Sequence, residues 1–357
     1  MSRKERIISI SALAFLLATV VALSAILLIP RSGAAKPKSA TYYDYFNTIT
    51  TIYDHSGDTT EQFNEMCDTV ARIFKQYHEL CDIYHSYDGV TNVKDINDAA
   101  GKGPIAVCEE LMDLLEYAVD MHAITDGALN IAFGAVLSIW HEYRTEANLT
   151  PSDHSDNRLP TKAELEAAST HCDISRLVLD RESMTAELTD PDMSLDLGAV
   201  AKGYATEMAA RALAAMGADG YAIDAGGNLR MIGEKPGGDG WVTGIRNPLG
   251  DGLATSMELK NTSCVTSGGY ERYYTVVTDG VPKRYHHIIN RETLMPAEFF
   301  ASVTVVHPDS GLADCLSTAL FNSSYEDALK ILQRVREAGL GEAEVIFITQ
   351  DGEIIRT

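Results

Sequence analysis

The sequence has few basic residues after its first forty positions, and this shortage limits the partners the protein can have. In total, 29 Lys and Arg oppose 51 Asp and Glu, a net charge of −22. Only one of the acidic residues but six of the basic ones lie in residues 1–38, so residues 39–357 carry 23 basic and 50 acidic side chains, or −27. A body this acidic repels nucleic acid and anionic lipid. We therefore expect no nucleic-acid partner, and an anionic ligand would need a cation or backbone amides to hold it.

Common metal and nucleotide signatures are also absent. The six cysteines include no C-x-x-C pair, so no thiolate metal site is predicted. Cys67 and Cys81 fall in one predicted helix and are ~21 Å apart at ~1.5 Å per residue, too far for a disulfide. We interpret most cysteines as small buried apolar residues. Neither GxxxxGK[ST] nor GxGxxG occurs, which argues against a P-loop or a Rossmann fingerprint.

Long apolar runs are confined to the N-terminus. Residues 7–29 contain no charged side chain and follow the basic residues Arg3, Lys4 and Arg6. At ~1.5 Å per residue this run spans ~34 Å, enough to cross the ~30 Å hydrocarbon core of a bilayer. A cleaved signal peptide usually has a shorter apolar stretch, of roughly 7–15 residues. We therefore expect residues 1–30 to form an uncleaved, single-pass membrane anchor.

The residues after the anchor suggest the domain boundaries and the location. Ser-Gly-Ala-Ala at 32–35 leaves cleavage open as an alternative. Residues 31–41 are rich in Ser, Ala, Lys and Pro and predict a linker, followed by one domain at 42–357. The basic flank of the anchor should remain in the cytoplasm, so we expect this domain on the extracytoplasmic side of the cell membrane.

Hydrophobic periodicity in the domain predicts strands and helices interleaved irregularly. We predict helices at 60–84, 108–124, 199–216, 311–322 and 324–338, and a short one after a capping box of Thr161 and Glu164. We predict strands at 46–53, 176–180, 185–188 and 193–197, then strands with Gly-rich turns within 221–233, 241–245, 255–260, 273–289 and 301–306. A hairpin is predicted at 344–357, with Asp351-Gly352 at its turn. Asp58 and Glu61 are the expected capping pair of the first helix, and 144–160 is expected to be a loop. The irregular order favours an α+β fold over a doubly wound sheet.

The stretch SLDLGAVAKGY at 194–204 predicts an anion-binding turn. A strand should end at Asp196, and a helix should begin near Ala199 with Lys202 in its first turn. Free amides and the positive end of the helix dipole would then hold a phosphate, and Lys202 would add a charge. The alternative is an ordinary strand-to-helix turn with a solvated lysine.

A second candidate is the pair Asp314 and Thr318. They are four residues apart in a predicted helix and therefore share one face. A carboxylate and a hydroxyl are a suitable partial shell for Mg²⁺, which takes further oxygens from phosphates and water. The alternative is an aspartate in the first turn of a helix, where a negative charge is favoured without any metal.

The third candidate is the histidine pair of YHHII at 285–289. Successive side chains of a strand point to opposite faces, so only one of His286 and His287 can face a site. A histidine there could accept a proton from an attacking hydroxyl, although packing is the alternative role. Weaker signals are the glycine turns TDGALN, DAGGN and TSGGYERYY, and aromatic residues that could stack on a flavin or adenine ring: Phe46, Tyr84 and Tyr270.

Taken together, these stretches resemble the ApbE family of FAD:protein FMN transferases. The matching motifs occur in order across most of 44–322: FNTITTI, TDGALN, SLDLGAVAKGYA, DAGGN, TSGGYERYY, HHII and ADCLSTAL. No single motif is specific, whereas the ordered set is. The resemblance implies one ApbE-like, T-fold-related α+β domain. It also implies Mg²⁺-dependent transfer of FMN from FAD to a Thr or Ser hydroxyl of an acceptor flavoprotein, with release of AMP.

The resemblance also implies a set of site residues. His287 matches the histidine that activates the acceptor hydroxyl. The implied metal ligands are Asp314, Thr318 and oxygens of Ala199 and Ser317. The residues expected to line the FAD site are Phe46, Ala128, Leu129, Asn130, Asp196, Lys202 and Ile289, together with Tyr84 and the glycine-turn residues Ser267 and Gly268.

Some positions depart from the family pattern. Asn290 and Arg291 stand where the family often has Asp and Pro, no Gly precedes Pro296, and Asn130 replaces a frequent Asp. The turn at 290–297 is therefore the part that the resemblance predicts least. Two other functions remain open at this point. One is a Mg²⁺-dependent FAD pyrophosphatase that releases FMN and AMP, and the other is a surface flavin-binding protein without turnover.

Overall fold

An antiparallel sheet of eight strands forms the centre of the fold. The structure is a computed structural model that describes residues 37–149 and 154–357. Its helices are α1 (Thr60–Cys81), α2 (Val93–Asp98), α3 (Glu109–Ile124), α4 (Gly134–Ala147), α5 (Lys162–Ser169), α6 (Ala201–Ala215), α7 (Ser310–Phe321) and α8 (Tyr325–Glu337). Its strands are β1 (Lys38–Tyr42), β2 (Thr50–Asp54), β3 (Ile105–Ala106), β4 (Leu177–Asp180), β5 (Thr185–Leu188), β6 (Tyr221–Ala225), β7 (Asn228–Ile232), β8 (Trp241–Arg246), β9 (Leu253–Leu259), β10 (Ser263–Gly268), β11 (Tyr273–Thr278), β12 (Val281–His286), β13 (Ser302–His307), β14 (Glu344–Ile348) and β15 (Ile354–Arg356). The order in the large sheet is β1-β2-β6-β7-β10-β13-β14-β15.

The two faces of this sheet are covered by different elements because side chains alternate along each strand. Val265 of β10 and Val305 of β13 point into the main core, which α1, α6 and α7 share. Their neighbours Cys264 and Val306 point to the opposite face, where Trp241 of the β8–β9 hairpin covers them. The period-two pattern of these segments therefore reflects strands that are buried on both sides.

A separate two-stranded sheet, β11–β12, packs against α4. Trp140 of α4 contacts the rings of Tyr274 and Tyr285 at centroid distances of 6.3 and 6.5 Å. The indole nitrogen of Trp140 donates to the Leu294 carbonyl at 3.1 Å. This aromatic cluster fixes the end of β12, which leads directly into His287.

Most predicted elements are present, including the α1 helix and the Thr161–Glu164 capping box. The predicted capping pair of α1 is wrong by one residue. Thr59 caps the helix together with Gln62, and the Asp58 carboxylate instead accepts a hydrogen bond from the Tyr221 hydroxyl at 2.7 Å.

Other boundaries differ from the predictions. Residues 193–197 are not a strand, because the Asn97 side chain takes the hydrogen bonds that a neighbouring strand would make with Leu195. Helix α4 extends into the expected loop at 144–160. The strand predicted at 46–53 begins only at Thr50. It pairs with β1, which lies largely within the range 31–41 that we expected to be a linker.

The predicted membrane anchor lies before the first residue that the structure describes. Across residues 37–149 and 154–357, no helix combines the length and apolar character needed to cross a bilayer. The anchor predicted at 1–30 lies outside the described residues.

Candidate active site

Helices α6 and α7 bring the predicted metal-binding side chains together. The Asp314 carboxylate is 8% exposed and accepts a hydrogen bond from the Gly203 amide at 2.7 Å. Lys202 Nζ lies 3.1 Å from both carboxylate oxygens. The helices can approach this closely because residue 203 has no side chain: a Cβ there would lie 2.3 Å from the Cβ of Asp314. Asp314 thus contacts the segment that follows Leu197.

Most amides of this segment already have partners within the protein. Those of Gly198, Val200, Ala201 and Gly203 donate to the Asp196 side chain, to the Leu197 carbonyl twice, and to Asp314. The amides of Ala199 and Lys202 have no hydrogen-bond partner among the described residues, so an anion-binding turn that uses them stays a prediction. Lys202 does lie in the first turn of α6, as predicted.

The same contact leaves the Ala199 carbonyl without its usual partner. In a regular helix the Gly203 amide would donate to Ala199, but here it donates to Asp314, and no other amide of the described residues replaces it. An unpaired carbonyl beside a carboxylate is an arrangement that suits a hard cation.

Three hydroxyl groups complete this end of the site. Ser267 Oγ lies 2.8 Å from Ser317 Oγ and 3.3 Å from Thr318 Oγ1. Together with the Asp314 carboxylate and the Ala199 carbonyl, these hydroxyls would offer a metal ion oxygen ligands and no nitrogen or sulfur ligand. Such a set fits Mg²⁺.

A second group with metal-like spacing lies elsewhere in the described chain: His171, Asp190 and Asp192. There the Asp190 carboxylate is already paired with Arg176 and lies 2.9 Å from His171 Nδ1. Asp314 also has a cationic partner, Lys202, so pairing alone does not separate the two groups. The group at Asp190 includes a histidine nitrogen, whereas the group at Asp314 offers the oxygens that Mg²⁺ prefers.

The predicted base, His287, follows β12 directly. Its backbone amide donates to the Arg272 carbonyl at 3.0 Å. Its Nδ1 atom is buried and has no hydrogen-bond partner among the described residues. Burial, followed by the charges of Arg272 and Arg144, holds the pKa of His287 well below its usual 6.5. The imidazole is therefore neutral at neutral pH and can accept a proton.

Its neighbour His286 has a structural role. His286 Nε2 lies 2.9 Å from the Ala297 carbonyl, and its ring packs edge-on against Phe321. His286 nevertheless lines the same recess as His287, so the expectation that only one of the two histidines faces the site stays a prediction.

Helix α4 supplies residues that sequence reasoning missed. His141 and Arg144 line the same recess as His287. The Tyr84 hydroxyl lies 3.1 Å from His141 Nδ1, and His141 Nε2 lies 4.0 Å from the Asp196 carboxylate. The helical spacing of Trp140, Tyr143 and Ala147, all buried, was the signal that could have revealed this helix.

Phe46 is held in an unusual turn. Phe46 and Asn47 have φ angles of 51° and 50°, a left-handed conformation that is rare for residues other than glycine. The Arg272 guanidinium donates to both of their carbonyls, at 3.3 and 3.4 Å. The Phe46 amide donates to His78 Nδ1 at 3.3 Å. Arg272 thus connects the turn that carries Phe46 with the main chain of His287.

The remaining predicted flavin-site residues differ in how accessible they are to a ligand. Tyr84 is 57% exposed, and Ala128 is partly buried, so their side chains are accessible. The side chains of Leu129 and Ile289 pack in apolar cores. The Leu129 backbone is also used within the protein, since its amide donates to Thr125 Oγ1 and its carbonyl lies 3.0 Å from His122 Nδ1. The Asn130 amide is used within the protein, since it caps the short 3₁₀ helix Ile131–Phe133 and donates to Cys172. Gly268 lies against the ring of Tyr270.

The turn at 290–297 is closed by the residues that depart from the family pattern. Asn290 Oδ1 accepts hydrogen bonds from the amides of Glu292 and Thr293 at 3.0 Å. The Arg291 guanidinium donates to the Asp126 carbonyl in the TDGALN loop. Asn290 and Arg291 thus stabilise a turn and tie it to a second loop of the site.

Known proteins are similar to this chain in both sequence and fold. The sequence model of the ApbE family matches residues 44–341. The chain is 31% identical over 289 residues to a FAD:protein FMN transferase of Klebsiella pneumoniae (strain 342), covering 80% of this chain and 83% of that protein. It is 34% identical to one of Treponema pallidum (strain Nichols), covering 67% of this chain and 66% of that protein.

Two solved structures are similar over nearly their whole length. The ApbE protein of Thermotoga maritima has a TM-score of 0.75 and 29% identity, covering 90% of this chain and 97% of that one. The apo flavinyl transferase ApbE of Pseudomonas stutzeri has a TM-score of 0.71 at 23% identity, covering 92% and 96%, and shares the fold. These structures confirm the predicted α+β, ApbE-like domain.

Proposed function

The chain belongs to the ApbE family, and we propose that it is an FAD:protein FMN transferase that uses Mg²⁺ and modifies a Thr or Ser hydroxyl of an acceptor flavoprotein. The observation that carries this proposal is a group of oxygen ligands on α7: the Ser317 and Thr318 hydroxyls contact Ser267, and the buried Asp314 carboxylate lies one turn before Thr318. The chain reaches Arg272, whose carbonyl accepts a hydrogen bond from the His287 amide, five residues after Ser267. A metal-binding end and a neutral base are thus linked through one short segment.

Each end of the site has a defined task in this reaction. Asp314, Thr318 and oxygens of Ala199 and Ser317 would hold Mg²⁺, which when bound neutralises phosphate charge. His287 accepts the proton of the acceptor hydroxyl as the oxygen bonds to the flavin-side phosphorus. The anhydride bond between the two phosphates breaks, and AMP leaves with the electron pair. Lys202 contacts Asp314 and places its positive charge at the same end.

A single incubation tests this proposal against its rivals. The full-length protein is mixed with FAD, Mg²⁺ and a Ser/Thr-containing acceptor flavoprotein, and all products are measured by mass spectrometry. Acceptor carrying the added mass of FMN, with one AMP released for each, is the expected result. Free FMN and AMP with unmodified acceptor would indicate a pyrophosphatase. Unchanged FAD bound to the protein would indicate a binding protein, and either of these results contradicts the proposal.

The location of the protein is a further part of the proposal. Residues 1–30 anchor the chain in the cell membrane, and the domain faces the extracytoplasmic side, where its acceptor must also be located. The apolar run at 7–29 and the basic residues before it support this arrangement. Protease added to intact cells should digest the domain. A domain that is protected until the cells are lysed would contradict this orientation.

A further inference from the structure

Two arginines near His287 have no carboxylate partner among the described residues: Arg144, which lines the recess, and Arg272, whose carbonyl accepts a hydrogen bond from the His287 amide. Arg144 forms no ion pair with any carboxylate in the described residues. The Arg272 side chain donates to the main-chain carbonyls of Phe46 and Asn47. It forms no ion pair with an acidic residue within 37–149 and 154–357. Both side chains are partly buried.

The partial burial of these two arginines is what sets them apart. Arg176, Arg181, Arg211 and Arg230 pair with acidic groups. The other arginines with no ion pair among the described residues are exposed to solvent: Arg72, Arg246, Arg284, Arg291 and Arg336. In a body with 50 acidic residues against 23 basic ones, partners are plentiful. Two neighbouring guanidinium groups left unpaired therefore point to an anion that is supplied from outside.

We propose that Arg144 and Arg272 bind the flavin-side phosphate of FAD, the group that is transferred. This inference rests on the proposed function. The guanidinium of Arg272 holds the turn of Phe46, which is expected to contact the flavin, and its carbonyl holds His287. A phosphate beside Arg272 therefore lies between the flavin and the base, which is the position of the reacting phosphorus.

The other groups near the site do not fill this role. The amides of Gly198, Val200, Ala201 and Gly203 bond within the protein, and the Lys202 side chain contacts Asp314. Asp196 is the acidic group near Arg144, and its carboxylate already accepts a hydrogen bond from the Gly198 amide. Burial and the neighbouring Arg272 lower the pKa of Arg144, and the opposing effect of Asp196 is smaller.

Comparing FMN with riboflavin isolates this contact, because the two ligands differ only by the phosphate. Binding to the full-length protein is followed by flavin fluorescence, with EDTA present so that no metal contributes. Wild-type protein should bind FMN about tenfold or more tightly than riboflavin. Arg144→Gln should remove most of this preference and leave riboflavin affinity within about twofold. Arg144→Lys should retain part of it, since lysine keeps the charge but loses the forked geometry.

Arg272→Gln is expected to differ from Arg144→Gln. It should lower FMN affinity more than riboflavin affinity, but it should also weaken riboflavin because the turn of Phe46 loses its support. Arg181→Gln, at an exposed arginine on the turn after β4, is the matched control and should bind both ligands as wild type does.

Three results would overturn the proposal: no preference for FMN in the wild type, an unchanged preference in Arg144→Gln, or an equal loss of both ligands in that variant. An equal loss of both ligands would show that Arg144 has a purely structural role. The measurement needs neither acceptor nor turnover. A failure of FMN transfer with the preference intact would therefore count against the proposed function and leave the phosphate site standing.

Discussion

His287 offers the sharpest test at the scale of single residues. Its Nδ1 atom is buried beside a recess and unpaired among the described residues. Removing the imidazole in His287→Ala should slow transfer by roughly 10²–10⁴-fold, the usual contribution of a general base. FAD affinity should stay nearly unchanged, because FAD binding needs no proton transfer. Single-turnover rates and equilibrium titration measure the two effects separately, and wild-type rates in the variant would leave His287 with a packing role only.

The lowered pKa of His287 also fixes the sign of the pH dependence. Burial, Arg272 and Arg144 all favour the neutral imidazole, so the base remains unprotonated as the pH falls through 6.5. We expect kcat/KM to be flat across neutral and mildly acidic pH and to decline only in stronger acid. Arg144→Gln removes one of these positive charges, so it should raise the pKa and move the decline to higher pH. A decline centred at 6.5 in the wild type, or an unmoved profile in the variant, would contradict this account.

Asp314 is the second residue whose removal should be decisive. Asp314→Ala removes the one carboxylate among the proposed oxygen ligands, and we expect transfer to be abolished and Mg²⁺ dependence to become undetectable. The variant also leaves Lys202 and the Gly203 amide without their acceptor, so Asp314→Asn, which keeps one oxygen, serves as the folded comparison. Thermal unfolding checks that both variants are folded. Normal Mg²⁺-dependent turnover in either one would refute the ligand assignment.

Single residues also show where prediction from sequence stops. Asp314 and Thr318 could be paired in advance because helical periodicity fixes which residues share a face. The partnership of Asp314 with Gly203 joins residues 111 positions apart, and no local pattern encodes such a contact. Arg144 and Arg272 escaped notice for the same reason: whether an arginine forms an ion pair depends on which residues the fold brings beside it.

At the scale of secondary-structure elements, the site depends on how closely α6 approaches α7. Gly203→Ala would place a Cβ 2.3 Å from the Asp314 Cβ and 2.8 Å from the Ser310 carbonyl, so the helices must separate. We expect a loss of about 1–3 kcal/mol of unfolding free energy, the usual cost of overpacking. Activity should also fall steeply, because Asp314 moves away from the Ala199 carbonyl.

Denaturant unfolding and the transfer assay measure these two effects of Gly203→Ala. Gly250→Ala is the matched control. Residue 250 lies in the turn between β8 and β9, where the nearest atom to an added Cβ is a side-chain nitrogen at 3.4 Å. That variant should behave as wild type within about 0.5 kcal/mol. A Gly203→Ala protein with wild-type stability and activity would show that the close contact of the helices is unimportant.

Elements with a clear hydrophobic periodicity were predictable from the sequence, whereas elements defined by tertiary contacts were not. Helices α1, α6, α7 and α8 were found within a few residues because each carries a periodic apolar face or a buried run. Residues 193–197 alternate like a strand, yet a side chain, Asn97, satisfies the backbone in place of a second strand. Helix α4 was overlooked because its C-terminal end, at 144–147, is polar and resembles a loop.

At the scale of the whole molecule, net charge predicts how FAD approaches the site. The domain carries −27 over residues 39–357, while Lys202, Arg144 and Arg272 provide positive charge only locally. FAD brings two further negative charges in its pyrophosphate. Beyond roughly 10 Å the sum of the surface charges dominates the field, whereas the three cations act only after FAD has entered the site. The long-range field should therefore slow the encounter.

Changing the ionic strength distinguishes repulsion by the distant acidic surface from attraction by the cations within the site. The Debye length shortens from about 30 Å at 0.01 M to about 8 Å at 0.15 M, which screens the distant acidic surface more than contacts within the site. We expect the association rate constant of FAD, measured by stopped-flow flavin fluorescence in EDTA, to increase several-fold over this range. Riboflavin, which is uncharged, should associate at a nearly constant rate and controls for other effects of salt. If FAD association instead slows as salt is added, the local cations control the approach, and the acidic surface does not hinder the substrate.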